Sequence, residues 1–182
     1  MDSSAYERKI ASRFAGFDQD GNGYISREDF AAAAAAVLRE FDVTARSSAG
    51  QSLYGAAEAF WQGMAGMADH DGDQRITREE FVHGAVKRLR DNPDGFAEIA
   101  RPFLRAVVAI ADADADGSVT TGETERVLRA LGVDEDTRAT AAAALDGDGD
   151  GVVSEQELLT AFAAYYTTPA PETADDATAN HH

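Results

Sequence analysis

Asp146-Gly147-Asp148-Gly149-Asp150-Gly151-Val152-Val153-Ser154-Glu155-Gln156-Glu157 sets carboxylates at its first, third and fifth residues, a glycine at its sixth and a carboxylate at its twelfth. Three other stretches repeat that order. They are Asp18-x-Asp20-x-Asn22-Gly23 closing at Asp29, Asp69-x-Asp71-x-Asp73-Gln74 closing at Glu80, and Asp112-x-Asp114-x-Asp116-Gly117 closing at Glu123. The four windows, 18–29, 69–80, 112–123 and 146–157, hold 18 of the 33 acidic residues. The 182-residue chain has a formal charge of −17 and is 44% apolar, so its acidity is gathered into a repeat and does not come with the core-poor composition of a disordered polyanion.

Side-chain oxygens at positions 1, 3 and 5 can converge on one point, which suits a hard cation such as calcium with its six to eight oxygen ligands. Position 6 must turn the chain through the left-handed region that glycine enters freely, and position 7 then offers its carbonyl. Those carbonyls belong to Tyr24, Arg75, Ser118 and Val152. Position 9 carries a hydroxyl in every window (Ser26, Thr77, Thr120, Ser154), and the twelfth residue closes the shell. The same hydroxyl and acid form a capping box, so one carboxylate serves both the cation and the start of a helix. Position 8 is β-branched each time (Ile25, Ile76, Val119, Val153), which predicts that windows pair through short strands burying that side chain.

The expected ligands are therefore Asp18, Asp20, Asn22, Tyr24 and Asp29, then Asp69, Asp71, Asp73, Arg75 and Glu80. Asp112, Asp114, Asp116, Ser118 and Glu123, with Asp146, Asp148, Asp150, Val152 and Glu157, complete four calcium sites. Windows three and four, with four acidic ligands each, are the expected reference sites. In window one, neutral Asn22 and the short Asp29 favour a six-coordinate shell and shift selectivity toward magnesium. In window two, Gln74 at position 6 costs about 1–2 kcal/mol in a left-handed backbone, weakening the site without abolishing it.

Apolar residues recur at helical spacing on both sides of the windows. Tyr6, Ile10, Phe14 and Phe17 precede the first, and Phe30, Ala34, Val37, Leu38 and Phe41 follow it. Leu53, Ala57, Phe60, Trp61, Met64 and Met67 lead into the second, and Phe81, Ala85 and Leu89 leave it. Phe96, Ala100, Phe103, Val107 and Ile110 lead into the third; Val127, Leu128 and Leu131 leave it, with Gly132 as the helix stop. The fourth has a thin entering stripe in Ala141 and Leu145 and a strong exit in Leu158, Phe162 and Tyr165. Eight helices are expected. Pro102 predicts a kink or break near Arg101, and Asp91-Asn92-Pro93-Asp94-Gly95 reads as a turn between lobes.

Four such windows with helical flanks resemble the EF-hand superfamily from about Tyr6 to Tyr166. Within it, the chain is similar to calerythrin and the sarcoplasmic calcium-binding proteins. The long connection in the first pair, the short lobe junction and the closing Asp29 carry that finer likeness. The resemblance implies an all-α fold of four EF-hand helix-loop-helix units in two paired lobes packed into one compact body. The expected division is an N-terminal pair over 1–92 and a C-terminal pair over 93–166. Residues 167–182 are expected to be a disordered tail, with His181 and His182 a possible tag remnant.

The charge would repel nucleic acid and anionic lipid, so neither is expected as a partner. Cysteine is absent, which removes thiolate and disulfide chemistry. Glu7, Arg8 and Lys9 interrupt the start where a secretory signal needs an apolar run, and the longest apolar run, Phe30 to Leu38, is too short for a membrane span. A monomeric cytoplasmic protein is the expectation. No nucleophile elbow, phosphate-cradling glycine loop, or Cys/His or Ser/His pairing points to an enzyme. A calcium buffer or carrier is the expected function, and a calcium sensor that exposes an apolar groove to a target helix is the alternative. A sensor groove is usually rich in Met, and this chain has three, none in its C-terminal half.

Overall fold

Each acidic window begins where one helix ends and finishes inside the first turn of the next. The computed structural model describes residues 14–87 and 91–160. Tyr6, Ile10, Leu89, Phe162, Tyr165, His181, His182 and the tail from 167 lie outside them, as do the side chains of Ala85 and Phe96.

A helical segment over 14–17 leads through the first window to β1 (Tyr24–Ile25) and α1 (Arg27–Glu40). The long α2 (Ser48–Ala68) enters the second window, whose exit passes through β2 (Ile76–Thr77) into α3 (Arg78–Glu80). Then come α4 (Pro93–Ala111), β3 (Ser118–Thr120), α5 (Thr121–Ala130), α6 (Glu135–Leu145), β4 (Val152–Ser154) and a helical segment over 155–160. The fold is the expected all-α arrangement. Among the described residues, no helix is long and apolar enough to cross a membrane.

The strands pair antiparallel in two separate ribbons, β1 with β2 and β3 with β4. Ile25 lies opposite Ile76 and Val119 opposite Val153, so the position-8 residues meet as a cross-strand couple in each ribbon. All four are buried, which removes apolar area from water and fixes the two windows of a pair at one spacing.

α1 buries Phe30, Ala34, Val37 and Leu38 on one stripe, and α2 buries Leu53, Ala57, Phe60, Trp61, Met64 and Met67, as the periodicity predicts. Of the third entering stripe, Ala100, Phe103 and Val107 are buried and Ile110 is half-buried. α4 lies along α2 so closely that a Cβ on Gly63 would come within 2.3 Å of Ile99 Cγ2. This places Ala100, Phe103 and Val107 in one core with Phe14, Phe30, Phe60, Trp61 and Phe81. A smaller core of Val108, Ala111, Val119 and Val153 lies under the second ribbon.

Four details differ from the sequence reading. The cluster Asp91–Gly95 passes directly from one helical residue into α4: Asp91 is helical, Asn92 is the N-cap of α4, accepting the Gly95 N–H at 3.0 Å, and Pro93 occupies the first turn. Asparagine caps and first-turn prolines serve helix starts as readily as turns, so local chemistry could not separate the two. Pro102 sits inside α4 without breaking it, because packing against α2 outweighs the lost backbone bond. The exit helix of window two continues as a π-helical segment, Phe81–Val86, where Gly84 approaches the backbone of Met67 and Ala68. α6 buries Ala142, while Ala141 and Leu145 are half-buried.

Gly132 stops α5 as expected, at φ +89° with Val133 N–H returning to the Leu128 carbonyl at 2.9 Å. α1 ends the same way on Asp42, at φ +55°. Against that end lie two arginines of α5: Arg126 donates to the Glu40 carbonyl at 2.7 Å, and both Arg126 and Arg129 pair with the Glu40 carboxylate. Cations there complement the carbonyl end of the helix and tie the exit helices of windows one and three.

Candidate metal centre

The four windows share one backbone construction. The first carboxylate of each takes the position-6 N–H on Oδ2: Gly23 to Asp18 at 2.9 Å, Gln74 to Asp69 at 3.0 Å, Gly117 to Asp112 at 2.8 Å and Gly151 to Asp146 at 2.9 Å. The third residue accepts the position-5 N–H, at 3.1 Å in Asp20, Asp71 and Asp148 and 3.3 Å in Asp114. The fifth accepts the position-7 N–H: Tyr24 to Asn22 at 3.2 Å, Arg75 to Asp73 and Ser118 to Asp116 at 2.9 Å, and Val152 to Asp150 at 3.0 Å. These bonds use part of each side chain's acceptor capacity and draw the acids around one point.

Three carboxylates in each window offer oxygens within 4.8 Å of one another: Asp18, Asp20 and Asp29; Asp69, Asp71 and Asp73; Asp112, Asp114 and Asp116; Asp146, Asp148 and Glu157. Glu80, Glu123, Asp150 and Asn22 belong to the same loops beside these groups. Glu80 accepts from His70 N–H at 3.3 Å and Thr77 N–H at 2.9 Å, and Glu123 from Thr120 N–H at 2.8 Å. Of the residues whose carbonyls are expected to serve as ligands, Tyr24, Ser118 and Val152 open their strands and Arg75 immediately precedes β2. Every gathered donor is oxygen, with neither Cys nor His among them, and such a set fits a hard divalent cation.

The capping boxes form as the sequence predicts. Thr77 with Glu80, and Thr120 with Glu123, exchange both bonds; Ser154 and Glu157 do so at 2.7 and 3.2 Å. In window one, Asp29 takes the Ser26 N–H at 2.8 Å and the Asp20 N–H at 3.2 Å. Its shorter side chain lies buried, and burial pushes its carboxyl above the usual range. The Gly117 and Gly151 N–H donors hold Asp112 and Asp146 below it, and the Ser154 N–H does the same for Glu157. Asp114 is pushed up by the hydrogen bond it shares with Asp112.

Position 6 is left-handed throughout: Gly23 at φ +94°, Gln74 at +66°, Gly117 at +87° and Gly151 at +86°. So is position 4, which the sequence reading missed: Gly21 at φ +67°, Gly72 at +75°, Ala115 at +58° and Gly149 at +73°. The signal was present as a glycine recurring there in three windows of four.

With this geometry established, comparison with known proteins gives the lineage. An EF-hand domain pair matches residues 7–86, and a further EF hand matches 143–163. A solved Streptomyces coelicolor calcium-binding protein is 66% identical, with a TM-score of 0.87 over 91% of this chain and 99% of that one. The chain belongs to the EF-hand family. Calerythrin of Saccharopolyspora erythraea is 27% identical over 91% of this chain and 94% of its own. Calcium-loaded apo-aequorin from Aequorea victoria, 17% identical, has the same fold at a TM-score of 0.71 over 94% of this chain and 95% of that one. The four windows are thus the loops of four EF-hands, and EF-hand pairing explains the two ribbons.

Proposed function

We propose that this EF-hand protein binds calcium in up to four loops and acts as a cytoplasmic, monomeric calcium buffer or carrier. The ligands are the twenty residues read from the sequence, with Asp18, Asp69, Asp112 and Asp146 opening the loops and Asp29, Glu80, Glu123 and Glu157 closing them. The 66% identical relative is named as a calcium-binding protein, which supports a binding reading. We further propose a functional division at residues 92/93 into two pairs, with neither nucleic acid nor a membrane as partner.

The observation that carries the buffer reading is the shared aromatic core. Phe60 of the first pair meets Phe30 at 5.0 Å and Phe103, on the helix entering loop three, at 5.8 Å, and all three are buried. A sensor needs such surface free for a target, whereas here it joins the halves. An apolar dye should bind the calcium-loaded protein less than the cation-free protein, in which fifteen ligand carboxylates repel one another.

One observation favours the sensor reading: the 66% identical relative is described as acting in prokaryotic calcium-mediated regulation. Increased dye binding with calcium, accompanied by calcium-dependent capture of an amphipathic helix, would decide for it.

Loop one is proposed to take magnesium as well as calcium. Asp29 is buried and held by two backbone N–H groups, and its short side chain favours a small, six-coordinate shell. Asp29→Glu is expected to raise calcium-over-magnesium preference several-fold in competitive titration. Unchanged preference would show that residue length does not set the selectivity.

A further inference from the structure

We infer that Ala115 lowers the affinity of loop three, so that loop four fills first and leads its pair. This rests on the calcium-binding reading and separates two loops whose acidic ligands are equivalent in number and position. Position 4 is left-handed in all four loops, and only in loop three does a side chain stand there, Ala115 at φ +58°. Loop four has glycine at both left-handed positions, Gly149 at φ +73° and Gly151 at +86°.

The strain at Ala115 is one of backbone. A Cβ built on the equivalent Gly21, Gly72 or Gly149 meets no atom within 4 Å, so crowding is not what glycine avoids at this position. The cost is the clash of Cβ with its own carbonyl in a left-handed residue. The turn aims the next N–H at the loop's acids: Asp116 N–H reaches Asp112 and Asp114 at 3.3 Å each, whereas Asp150 N–H reaches Asp146 at 3.2 Å and Asp148 at 3.1 Å.

Strain at this position lowers affinity when the cation-free loop can shed it and the bound loop cannot. With no cation between them, Asp112, Asp114 and Asp116 repel, and the loop is free to leave the left-handed turn. Binding restores it. Loop four undergoes the same gathering with glycine, which enters the region at no steric cost. Gln74, at φ +66° in loop two, carries the same kind of strain two residues later, so each pair joins one strained loop to one without non-glycine strain.

The test is a calcium titration of the full chain, followed by calorimetry and by the amide resonances of Gly117 and Gly151. Each amide donates to its loop's first carboxylate, at 2.8 and 2.9 Å, and so reports its own loop. Ala115→Gly should lower the Gly117 midpoint about tenfold relative to Ala113→Gly, a control elsewhere in the loop. Gly149→Ala should raise the Gly151 midpoint by about the same factor. An unmoved Gly117 midpoint in Ala115→Gly, or a Gly149→Ala protein that binds as before, overturns the inference. If neither amide responds to calcium in the wild-type protein, the calcium-binding reading itself fails, and this inference with it.

Discussion

Replacing Glu157 with glutamine is expected to remove calcium binding from loop four while leaving the loop folded. Glu157 does two jobs that the substitution separates. It is the third residue of the exit helix, bonded reciprocally with Ser154, and glutamine preserves a capping box as well as glutamate does. It is also the one closing glutamate gathered with its loop's aspartates, here Asp146 and Asp148, and the Ser154 N–H keeps it ionised below the usual range. Glutamine brings one oxygen in place of two and no charge, which beside a divalent ion amounts to several kcal/mol even at high effective dielectric. Loop-four affinity should fall by about a hundredfold or more. Calorimetric stoichiometry should drop by one and the Gly151 amide should cease to respond. Unchanged stoichiometry would count against Glu157 as a ligand.

The second large effect is expected from Phe60→Ala. Phe60 contacts Phe17 at 6.0 Å and Phe30 at 5.0 Å from the first EF-hand, and Phe103 at 5.8 Å from the helix entering the third. Truncating a buried phenylalanine costs about 3–5 kcal/mol through lost transfer energy and the cavity left behind. In a chain of this length that lowers the melting temperature by about 10 °C. The contrasting variant is Glu40→Gln, which weakens the pairs with Arg126 and Arg129. Those arginines are 46% and 53% exposed, so solvent screens the pairs and the change should cost far less than the Phe60 truncation. Thermal melting of both variants in saturating calcium decides whether apolar contact or the ion pairs chiefly join the halves. A larger loss in Glu40→Gln would reverse that ranking.

The loops were legible because their chemistry is local. The gathering of carboxylates, at positions 1, 3 and 5 in loops two and three and at positions 1, 3 and 12 in loops one and four, the turn at position 6 and the capping box all act within twelve consecutive residues. The buried pairing of Ile25 with Ile76 and Val119 with Val153 also followed, since a β-branched residue repeating at one position marks a shared strand. Position 4 carries its own sequence signal in Gly21, Gly72 and Gly149, but only the backbone angles show that Ala115 takes the same left-handed turn without glycine. At Asn92-Pro93 the same residues that interrupt the helix also cap the next one, a second role that residue type alone does not specify.

The sequence by itself determined the helix-loop-helix repeat, the gathered carboxylates and the amphipathic stripes, because each is encoded in residue type at short, regular spacing. Only the tertiary structure decided that α4 runs unbroken through Pro102 against α2, that Phe60 meets Phe103, and that Arg126 and Arg129 converge on Glu40. Those contacts join residues 43 to 89 positions apart. Their energy depends on how whole helices are placed, and no local propensity or spacing records that placement.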